Sequence, residues 1–475
     1  MKHFAENYID GQWLASTGDE YIDVADPNTG LVRARVCSGH ENDALKAIEA
    51  AAAAFPAWSN TALRERTEAV RRLAGCLEAI ADDMAHCIAG EVGTPLKIAR
   101  IVQTLAPIRN CSNFIEIAEK FQWSKKIKHS TVLREPVGVV ACITPWNFPL
   151  HQIILKIVPA VLCGNTVVLK PSELTPATTR LFAEALHESG FPPGVLNIVN
   201  GLGRNVGMPL SQSPAVHMVS FTGSTRTGQA IMSAASSTVK KISLELGGKS
   251  PSVILPSADI ARAVKATVGG CLLNNGQTCN ALTRMLVPAN RLDEVEELLK
   301  TEFAKLTVGS SLDASHRIGP LISAAQQQRV RGLVQSGLEQ GAVVLASNDA
   351  IPNDGFFIAP MALGVRPDNV LAREEVFGPV LSVIAYSSVQ EAIALANDTE
   401  YGLAAAVWGE QREAMDAARR IRAGQVDING APFNPYAPFG GYGQSGIGRE
   451  GGEAGFEEFL EYKAIQLPLE AAELE

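Results

Sequence analysis

The stretch GNTVVLKPSELTPATTRLFAEALHESGFPPGVLNIV, residues 164–199, contains two short β-rich runs separated by a helical segment. Similar β-rich runs stand on either side of it, VGVVACI at 137–143 and VHMVSFTG at 216–223. Strands that alternate with helices in this way are typical of a doubly wound parallel sheet. The middle of the chain is therefore predicted to be an α/β layer of the nucleotide-binding type.

The same reasoning extends outward to both ends of the chain. Residues 41–120 carry apolar side chains at three- and four-residue spacing, which predicts helices. From about residue 250 strands and helices alternate again, which predicts a second α/β domain. The glycine-rich stretch APFGGYGQSGIGREGGEAGF, residues 437–456, predicts tight turns or loops before a final strand at 459–468.

Length and composition set broad limits. At 475 residues the chain is long enough for two or three domains, and 46% apolar with 19% charged residues is the balance of a folded soluble protein. The net charge of −9 argues against a nucleic-acid partner. The absence of a signal-like or membrane-length apolar run predicts a cytoplasmic protein with no membrane partner. The eight cysteines form no C-x-x-C pair and no histidine lies at ligand spacing, so we predict reduced thiols and no metal.

Two glycine clusters resemble phosphate-binding motifs without matching them. GLGRNVG, residues 201–207, is one residue too long for the dinucleotide fingerprint, and GSTRTG, residues 223–228, is followed by Gln229 where a P-loop needs lysine. The second cluster still ends a strand and opens a helix, so its backbone N–H groups could hold a phosphate. A plain strand-to-helix turn explains it equally well.

Cys279 in NNGQTCNA, residues 274–281, is a candidate nucleophile that needs an oxyanion donor and a base. Asn147 lies between two prolines in TPWNFP, residues 144–149, where a fixed side-chain amide could be the donor. Glu245 ends an apolar strand before a double glycine, where a carboxylate is hard to ionise and suited to act as a base. The structural alternatives are that Asn147 caps a turn and that Glu245 pairs with a lysine.

Seven segments in this order resemble the aldehyde dehydrogenase superfamily over nearly the whole chain: TPWNFP, VVLKPSE, FTGSTRTG, LELGGKSP, NNGQTCNA, EEVFGPV and PFGGYGQSGIGRE. The resemblance implies two doubly wound α/β domains, a Rossmann-like cofactor domain and a catalytic domain, with a small β oligomerisation arm. It places the NAD-binding domain at residues 1–119 and 138–247 and the catalytic domain at 248–450. The arm would comprise 120–137 and 455–475 and pair subunits into a dimer or tetramer.

The resemblance also implies the site residues. Cys279 would be the nucleophile and Glu245 the base, and Asn147 with the Cys279 backbone N–H would form the oxyanion hole. The implied cofactor contacts are Thr144, Pro145, Trp146, Lys170, Ser172, Glu173, Gly203, Phe221, Gly223, Ser224, Leu246, Gly247, Glu375 and Phe377. The implied substrate pocket is Phe148, Leu155, Leu273, Thr278, Phe433 and Phe439, with His151 and Gln152 adding polarity. Thr278 and Asn280 flank the nucleophile where the family often has cysteines.

The implied reaction is NAD-dependent oxidation of an aliphatic or aromatic aldehyde to the acid through a thiohemiacetal and a thioester on Cys279. NADP is expected to bind more weakly, because Glu173 would repel its 2′-phosphate. The alternatives are a semialdehyde or ω-oxo acid dehydrogenase, a CoA-acylating enzyme, which Glu245 argues against, and an inert structural protein of the same fold. The apolar pocket set suits an alkyl chain or an aromatic ring.

Overall fold

The computed structural model describes residues 1–468 of the chain. The last residues of the predicted arm, 469–475, lie outside the described part. In chain order the strands are β1 (Lys2–Phe4), β2 (Glu6–Ile9), β3 (Gln12–Ala15), β4 (Tyr21–Ala25), β5 (Val32–Cys37), β6 (Ser124–Ile127), β7 (Ser130–Pro136), β8 (Val139–Ile143), β9 (Thr166–Lys170), β10 (Leu196–Ile198), β11 (Met218–Thr222), β12 (Lys241–Glu245), β13 (Pro251–Ile254), β14 (Arg284–Pro288), β15 (Val343–Ser347), β16 (Met361–Gly364), β17 (Val380–Tyr386), β18 (Ala404–Trp408), β19 (Gln425–Ile428), β20 (Gly446–Ile447) and β21 (Leu460–Gln466).

The first five α-helices lie within residues 41–120, where the apolar spacing predicts helices. The α-helices of the described residues are α1 (Glu41–Ser59), α2 (Leu63–Ala79), α3 (Ala81–Val92), α4 (Leu96–Ile98), α5 (Ala106–Lys120), α6 (Pro149–Leu162), α7 (Pro176–Glu188), α8 (Met208–Gln212), α9 (Thr225–Ala235), α10 (Ile260–Leu272), α11 (Leu292–Phe303), α12 (Ala324–Glu339), α13 (Val370–Arg373), α14 (Val389–Asn397), α15 (Gln411–Ala418) and α16 (Gly452–Glu457). A π-helical stretch, Ala99–Leu105, joins α4 to α5.

The first large sheet has eight strands in the order β20-β12-β11-β8-β9-β10-β2-β3. Its central strands, β12 to β10, pair in parallel, and β2 and β20 add antiparallel edges. The three central strands β8, β9 and β11 are buried along their whole length, as expected for a sheet covered on both faces. This is the doubly wound layer that the alternation around residues 164–199 predicts.

A second large sheet of seven strands, in the order β15-β16-β17-β14-β13-β18-β19, forms the second α/β unit. All its pairs are parallel except β15 with β16. A third sheet, β21-β7-β6, is antiparallel and joins the segment after α5 to the last described strand. These three sheets confirm the predicted fold class, and a small sheet of β1, β5 and β4 lies near the amino terminus.

The glycine-rich stretch at 437–456 is not loop alone, because it also contains β20 and α16. Gly446 in β20 has a φ of +140°, and a side chain there would collide with the Leu244 carbonyl of β12. Glycine therefore lets this segment approach β12 closely enough to pair with it. Residues 446–447 fall in the predicted catalytic segment and yet extend the first sheet. The domain boundaries given above stay a prediction.

Candidate active site

The carboxyl ends of four neighbouring strands bring the candidate segments to one edge of the first sheet. The strand register aligns Ile143 with Lys170 and with Phe221, and Phe221 with Leu244. The residues that follow this row are Thr144, Pro171, Thr222 and Glu245. The strand order reverses between β8 and β11, and ligands of doubly wound sheets bind at the carboxyl edge beside such a reversal.

Lys170 and Glu173 lie together at the end of β9. The Lys170 ammonium donates to the Pro171 carbonyl at 2.7 Å and to Glu173 Oε2 at 3.5 Å. The Lys170 side chain is 5% exposed and that of Glu173 26%. Burial lowers the pKa of Lys170, and the Glu173 carboxylate works in the opposite direction. Glu173 thus opposes the loss of charge that burial favours at Lys170, while part of its own side chain stays accessible.

The turn from β11 into α9 leaves a concave backbone at the same edge. Ser224 is the N-cap of α9, and its Oγ accepts from the Thr227 N–H at 3.3 Å. A side chain at Gly223 would run into the Phe221 ring. The buried Thr222 Oγ1 has no hydrogen-bond partner. A helix start with free N–H groups, no side chain in the way and an unpartnered hydroxyl suits a phosphate group.

Of the glycines in GLGRNVG, the structure brings Gly207 rather than Gly203 to Lys170. The direction of a Cβ on Gly207 points to the Lys170 stem, 3.7 Å from Cδ. Gly203 is exposed, and nothing lies within 4 Å of the corresponding position. Both glycines belong to the same cluster, so spacing alone does not distinguish them.

Glu245 ends β12 in a buried position, with 2% of the residue exposed. Neither of its carboxylate oxygens has a hydrogen-bond partner. Burial raises the pKa of Glu245 well above its usual range, and the nearby Glu450 raises it further. A Cβ on Gly440 would lie 2.5 Å from Glu245 Oε1, so the Phe439–Gly440 loop closes directly over the carboxylate. Glu245 therefore does not form the simple lysine pair that the structural alternative required.

Lys156 and Glu450 form a fully buried ion pair beside Glu245. Lys156 lies on α6, and its ammonium also contacts Ser220 Oγ at 3.3 Å. The backbone of Glu450 exchanges two 2.7 Å hydrogen bonds with Phe439. These contacts link α6, the glycine-rich segment and the Glu245 carboxylate in one network. Sequence reasoning missed the pair, because neither residue stands in a recognisable motif with the other.

The loop that carries Cys279 is held by side-chain amides. Asn274 and Asn275 both adopt left-handed backbone conformations, with φ of 53° and 61°, which asparagine tolerates better than most residues. Asn147 Nδ2 donates to the Gln277 carbonyl at 3.0 Å, and Asn274 Nδ2 donates to the Asn147 carbonyl at 2.9 Å. The first bond ties the Asn147 side-chain amide to Gln277, two residues before Cys279. It uses one N–H of that amide, and the second N–H takes part in neither bond.

The Cys279 thiol is strongly disfavoured from ionising. Burial raises the pKa of Cys279 to about 12, with further increases from the Glu245 and Glu375 carboxylates. A Cβ on Gly248 would lie 2.6 Å from the Cys279 carbonyl, so the glycine pair brings the end of β12 against the cysteine loop. The Gly248 contact and the hydrogen bond from Asn147 to Gln277 thereby bring the segments that carry Glu245, Cys279 and Asn147 together.

Glu375 and Phe377 complete the other side of the site. The Gly248 N–H donates to Glu375 Oε1 at 3.1 Å, and the missing side chain of Gly247 leaves room for the same carboxylate. Burial raises the pKa of Glu375 to about 7. Phe377 has a φ of +58°, an uncommon conformation for an aromatic residue, and its ring meets Trp146 edge-to-face at 5.5 Å. Gln326 Nε2 donates to the Phe377 carbonyl at 2.9 Å and helps to hold that backbone.

Contacts among the predicted substrate residues fall into three groups. The rings of Phe433 and Phe439 meet at 6.4 Å. Thr278 Oγ1 donates to the Leu273 carbonyl at 3.0 Å. The Phe148 ring meets His151 at 6.4 Å, one turn before Leu155 on α6. Phe433 is 53% exposed, whereas Phe439 lies deeper, next to the Glu245 loop.

The remaining predicted cofactor residues lie on the same edge. Thr144 donates its N–H to the Lys170 carbonyl at 3.1 Å, and Ser172 Oγ accepts from Leu174 at 3.2 Å. Pro145 is half-buried in the loop before Asn147, and Leu246 is buried against Gly228 of α9.

In the described part of the chain no three histidine, cysteine or acidic residues gather as a metal site. Across residues 1–468 every helix is too short or too polar to cross a membrane.

The chain matches known proteins over nearly its full length. The model of the aldehyde dehydrogenase family matches residues 13–465. A 3-succinoylsemialdehyde-pyridine dehydrogenase from a Pseudomonas species is 42% identical over 471 residues, which cover 98% of this chain and 99% of the relative.

Solved structures of aldehyde dehydrogenases also superpose on this chain. A mutant of aldehyde dehydrogenase C from Pseudomonas syringae, in complex with NAD+ and octanal, superposes with a TM-score of 0.95 at 42% identity, covering 97% of this chain and 96% of that one. An aldehyde dehydrogenase from Bartonella henselae superposes with a TM-score of 0.96 at 39% identity, covering 98% and 100%. The chain described here is thus an oxidoreductase that belongs to the aldehyde dehydrogenase family.

Proposed function

We propose that this protein oxidises an aldehyde to the carboxylic acid with NAD, through a thioester on Cys279 that Glu245 helps to hydrolyse. The observation that carries the proposal is the Glu245 carboxylate, buried and without a hydrogen-bond partner, in the space it shares with Cys279. Because neither carboxylate oxygen makes a hydrogen bond to the described residues, no contact indicates that Glu245 stabilises the fold. It is suited to take a proton from a water molecule.

The residues present fit a dinucleotide at the carboxyl edge of the first sheet. Lys170 and Glu173 would hold the adenosine ribose, and the α9 turn at Gly223 and Ser224 would hold the pyrophosphate. Glu375 and Phe377 would contact the nicotinamide end. The NAD+ bound by the Pseudomonas syringae relative supports this assignment. NAD, when bound, supplies the hydride acceptor of the reaction.

In the first half of the reaction the Cys279 thiol gives its proton to solvent water, and the thiolate sulfur attacks the aldehyde carbon. The new C–S bond places negative charge on the former aldehyde oxygen, which the free N–H of Asn147 and the Cys279 backbone N–H would stabilise. Burial and the carboxylates of Glu245 and Glu375 keep Cys279 a thiol before the substrate arrives, because all three raise its pKa. Loss of negative charge at Glu245 or Glu375 would therefore favour the reactive thiolate. Loss of hydride from the carbon leaves a thioester on Cys279.

In the second half Glu245 takes a proton from water, and the resulting hydroxide attacks the thioester carbon. The C–S bond breaks, the acid departs and the sulfur leaves as the thiolate. A raised pKa makes the ionised Glu245 a stronger proton acceptor, and the thiolate that leaves, whose own pKa is raised, can take that proton back from it. Transfer of the acyl group to CoA would not need a base in this place, so hydrolysis is the better supported outcome.

Two narrower substrate readings remain candidates within the same proposal. The Pseudomonas relative is named for a semialdehyde that bears a pyridine ring, which favours an aldehyde whose chain carries an aromatic ring. The Pseudomonas syringae structure holds octanal, which favours an alkyl aldehyde. The half-buried Phe148, Leu155 and Leu273 and the Phe433–Phe439 pair give an apolar lining compatible with both.

The small sheet of β6, β7 and β21 supports assembly through the predicted arm. Ile127, Tyr462 and Ile465 on it are 42% to 56% exposed. Apolar side chains left accessible in this way are a liability for a monomer. We therefore propose that a second copy of the chain covers this sheet.

A single assay tests the proposed reaction. NADH formation at 340 nm would be followed with octanal and with benzaldehyde, in the presence and absence of CoA, and the product identified by mass spectrometry. We expect the free acid from at least one aldehyde with no dependence on CoA. Acyl-CoA as the main product would contradict hydrolysis, and no NADH from any aldehyde would contradict the dehydrogenase activity.

A further inference from the structure

A chain of buried polar side chains runs from the segment after α3 to the proposed oxyanion donor. Gln103 Nε2 donates to Thr94 Oγ1 at 3.0 Å, and the Thr94 hydroxyl donates to Asn274 Oδ1. Asn274 Nδ2 donates in turn to the Asn147 carbonyl at 2.9 Å and to the Gln277 carbonyl at 3.2 Å. Gln103, Thr94 and Asn274 are all buried, so bulk water does not compete for these bonds.

Two main-chain carbonyls fix the direction of these hydrogen bonds. A carbonyl only accepts, so the amide nitrogen of Asn274 must face the carbonyls of Asn147 and Gln277, and its oxygen must face Thr94. The Thr94 hydroxyl has one proton, which it gives to that oxygen, and it therefore accepts from Gln103. Loss of the Thr94 hydroxyl would remove the donor that holds the Asn274 amide in this orientation.

Asn274 contacts both of the groups that determine where the Asn147 side-chain amide lies. It donates to the main-chain carbonyl of Asn147. It also shares the Gln277 carbonyl with Asn147 Nδ2, which donates to that oxygen at 3.0 Å. The second N–H of the Asn147 amide takes part in neither bond and is the proposed donor to the oxyanion. A rotation of the Asn274 amide would therefore change the direction in which that N–H points.

Gln103 reaches Thr94 from an irregular helical turn. It lies in the π-helical stretch Ala99–Leu105, and π-helical turns occur frequently at functional sites. Gln103 Oε1 is buried without a hydrogen-bond partner, so one half of this amide is unpaired in the protein interior. Burying such a group is costly, while the other half of the amide donates to Thr94. This combination indicates that Gln103 is retained for its bond to Thr94.

We infer that Thr94 and Gln103 are positioning residues that orient the Asn147 amide toward the oxyanion through Asn274. The inference rests on the proposed function and deepens it, because it adds two residues to the first half of the reaction. Both act through Asn274, so neither needs to touch the substrate. An oriented donor contributes once charge develops on the aldehyde oxygen, so its loss should slow thioester formation and leave NAD binding unchanged.

The test measures the rate of NADH formation in a single turnover, with the full-length enzyme in excess over octanal or benzaldehyde, whichever it oxidises, and NAD saturating. Thr94→Val keeps the shape of the side chain and removes its hydroxyl. We expect a rate roughly tenfold lower, less than the loss of about a hundredfold or more that removal of an oxyanion donor causes, because Asn147 is still present. Thr94→Ser keeps the hydroxyl and should stay within about threefold of the wild-type rate.

A double-mutant cycle with Asn147→Ala distinguishes positioning from a general structural defect. If Thr94 acts through Asn147, adding Thr94→Val to Asn147→Ala should slow the single turnover by less than about twofold more. A structural defect would lower the rate by the same factor in both backgrounds. Thr104→Val is the matched control, because Thr104 follows Gln103 in the π-helical stretch and its buried hydroxyl donates to the Ala99 carbonyl at 2.9 Å. Its single-turnover rate should be close to that of the wild type.

Three results would overturn the inference and leave the proposed oxidation standing. They are a wild-type rate in a folded Thr94→Val, equal losses in Thr94→Val and Thr94→Ser, and the same factor of loss for Thr94→Val with and without Asn147→Ala. No NADH from the wild type with either aldehyde would instead contradict the proposed function itself. If Thr94→Val does not fold, Gln103→Met removes the donor to Thr94 and takes its place in the same cycle, where an additive loss would overturn the inference.

Discussion

Replacing Glu173 by glutamine is expected to open the cofactor site to NADP. The Glu173 carboxylate lies 3.5 Å from the Lys170 ammonium at the end of β9. Lys170 is also held by the Pro171 carbonyl at 2.7 Å, so it stays in place when Glu173 changes. The cation can serve both cofactors, whereas the carboxylate accepts hydrogen bonds from ribose hydroxyls and repels a 2′-phosphate.

The size of the repulsion between Glu173 and a 2′-phosphate depends on how exposed Glu173 is. Two like charges about 4 Å apart interact by about 1 kcal/mol in water and about 4 kcal/mol in a partly shielded site. Glu173 keeps 26% of its side chain exposed, so the lower half of that range applies. About 1.4 kcal/mol corresponds to a tenfold preference. We therefore expect the wild type to favour NAD by about tenfold or more in kcat/KM.

The assay measures kcat/KM for NAD and NADP at saturating aldehyde in the wild type and in Glu173→Gln. The variant should gain NADP use and bring the two efficiencies within a few-fold of each other. Glu188→Gln, which removes one negative charge from the exposed end of α7, is the matched control and should leave the ratio unchanged. Equal use of both cofactors by the wild type, or an unchanged ratio in Glu173→Gln, would refute the reasoning.

Three further predictions concern the thiol and the assembly. Cys279→Ser should abolish NADH formation, because a hydroxyl is a far weaker nucleophile than a thiolate. The Kd for NAD, measured by fluorescence titration, should stay within about threefold of the wild-type value, and turnover within tenfold of the wild type would exclude Cys279 as the nucleophile. The Glu375 carboxylate raises the pKa of the Cys279 thiol, so Glu375→Gln should lower that pKa. Alkylation of Cys279 by iodoacetamide should then become faster at a given pH. An unchanged pH profile of the alkylation rate would contradict the charge effect. Light scattering should give a dimer or tetramer, and a mass near 50.5 kDa at working concentration would rule out both.

Much of the site could be predicted from sequence because its residues stand next to strand ends or glycines. Asn147 lies four residues after the end of β8 and Glu245 is the last residue of β12, so the strand pattern places both near strand ends. Their shared edge then follows from the rule that parallel strands end on the same side. Cys279 lies outside the first sheet, and only the resemblance connected it with the other two residues.

The parts that sequence could not supply depend on contacts between distant segments. Lys156 and Glu450 are 294 residues apart, and neither carries a local signal that it will be buried against the other. The left-handed backbone of Phe377 is imposed by its surroundings rather than by its residue type. His151 Nδ1 and Gln152 Oε1 are buried without a hydrogen-bond partner, and this too can be recognised only when the positions of their neighbours are known.

The central claim is that Glu245 is the base that hydrolyses the Cys279 thioester, and Glu245→Gln tests it most directly. The substitution keeps the shape of the side chain and removes its ability to accept a proton. In stopped-flow mixing with saturating NAD and octanal we expect a rapid burst of NADH close to one per active site, followed by a steady state slowed by at least about a hundredfold, the lower end of what a general base contributes. Mass spectrometry of the quenched enzyme should find the acyl group on Cys279. Equal loss of the burst and the steady state, with no acyl-enzyme, would show that Glu245 acts before the thioester forms and would contradict the account.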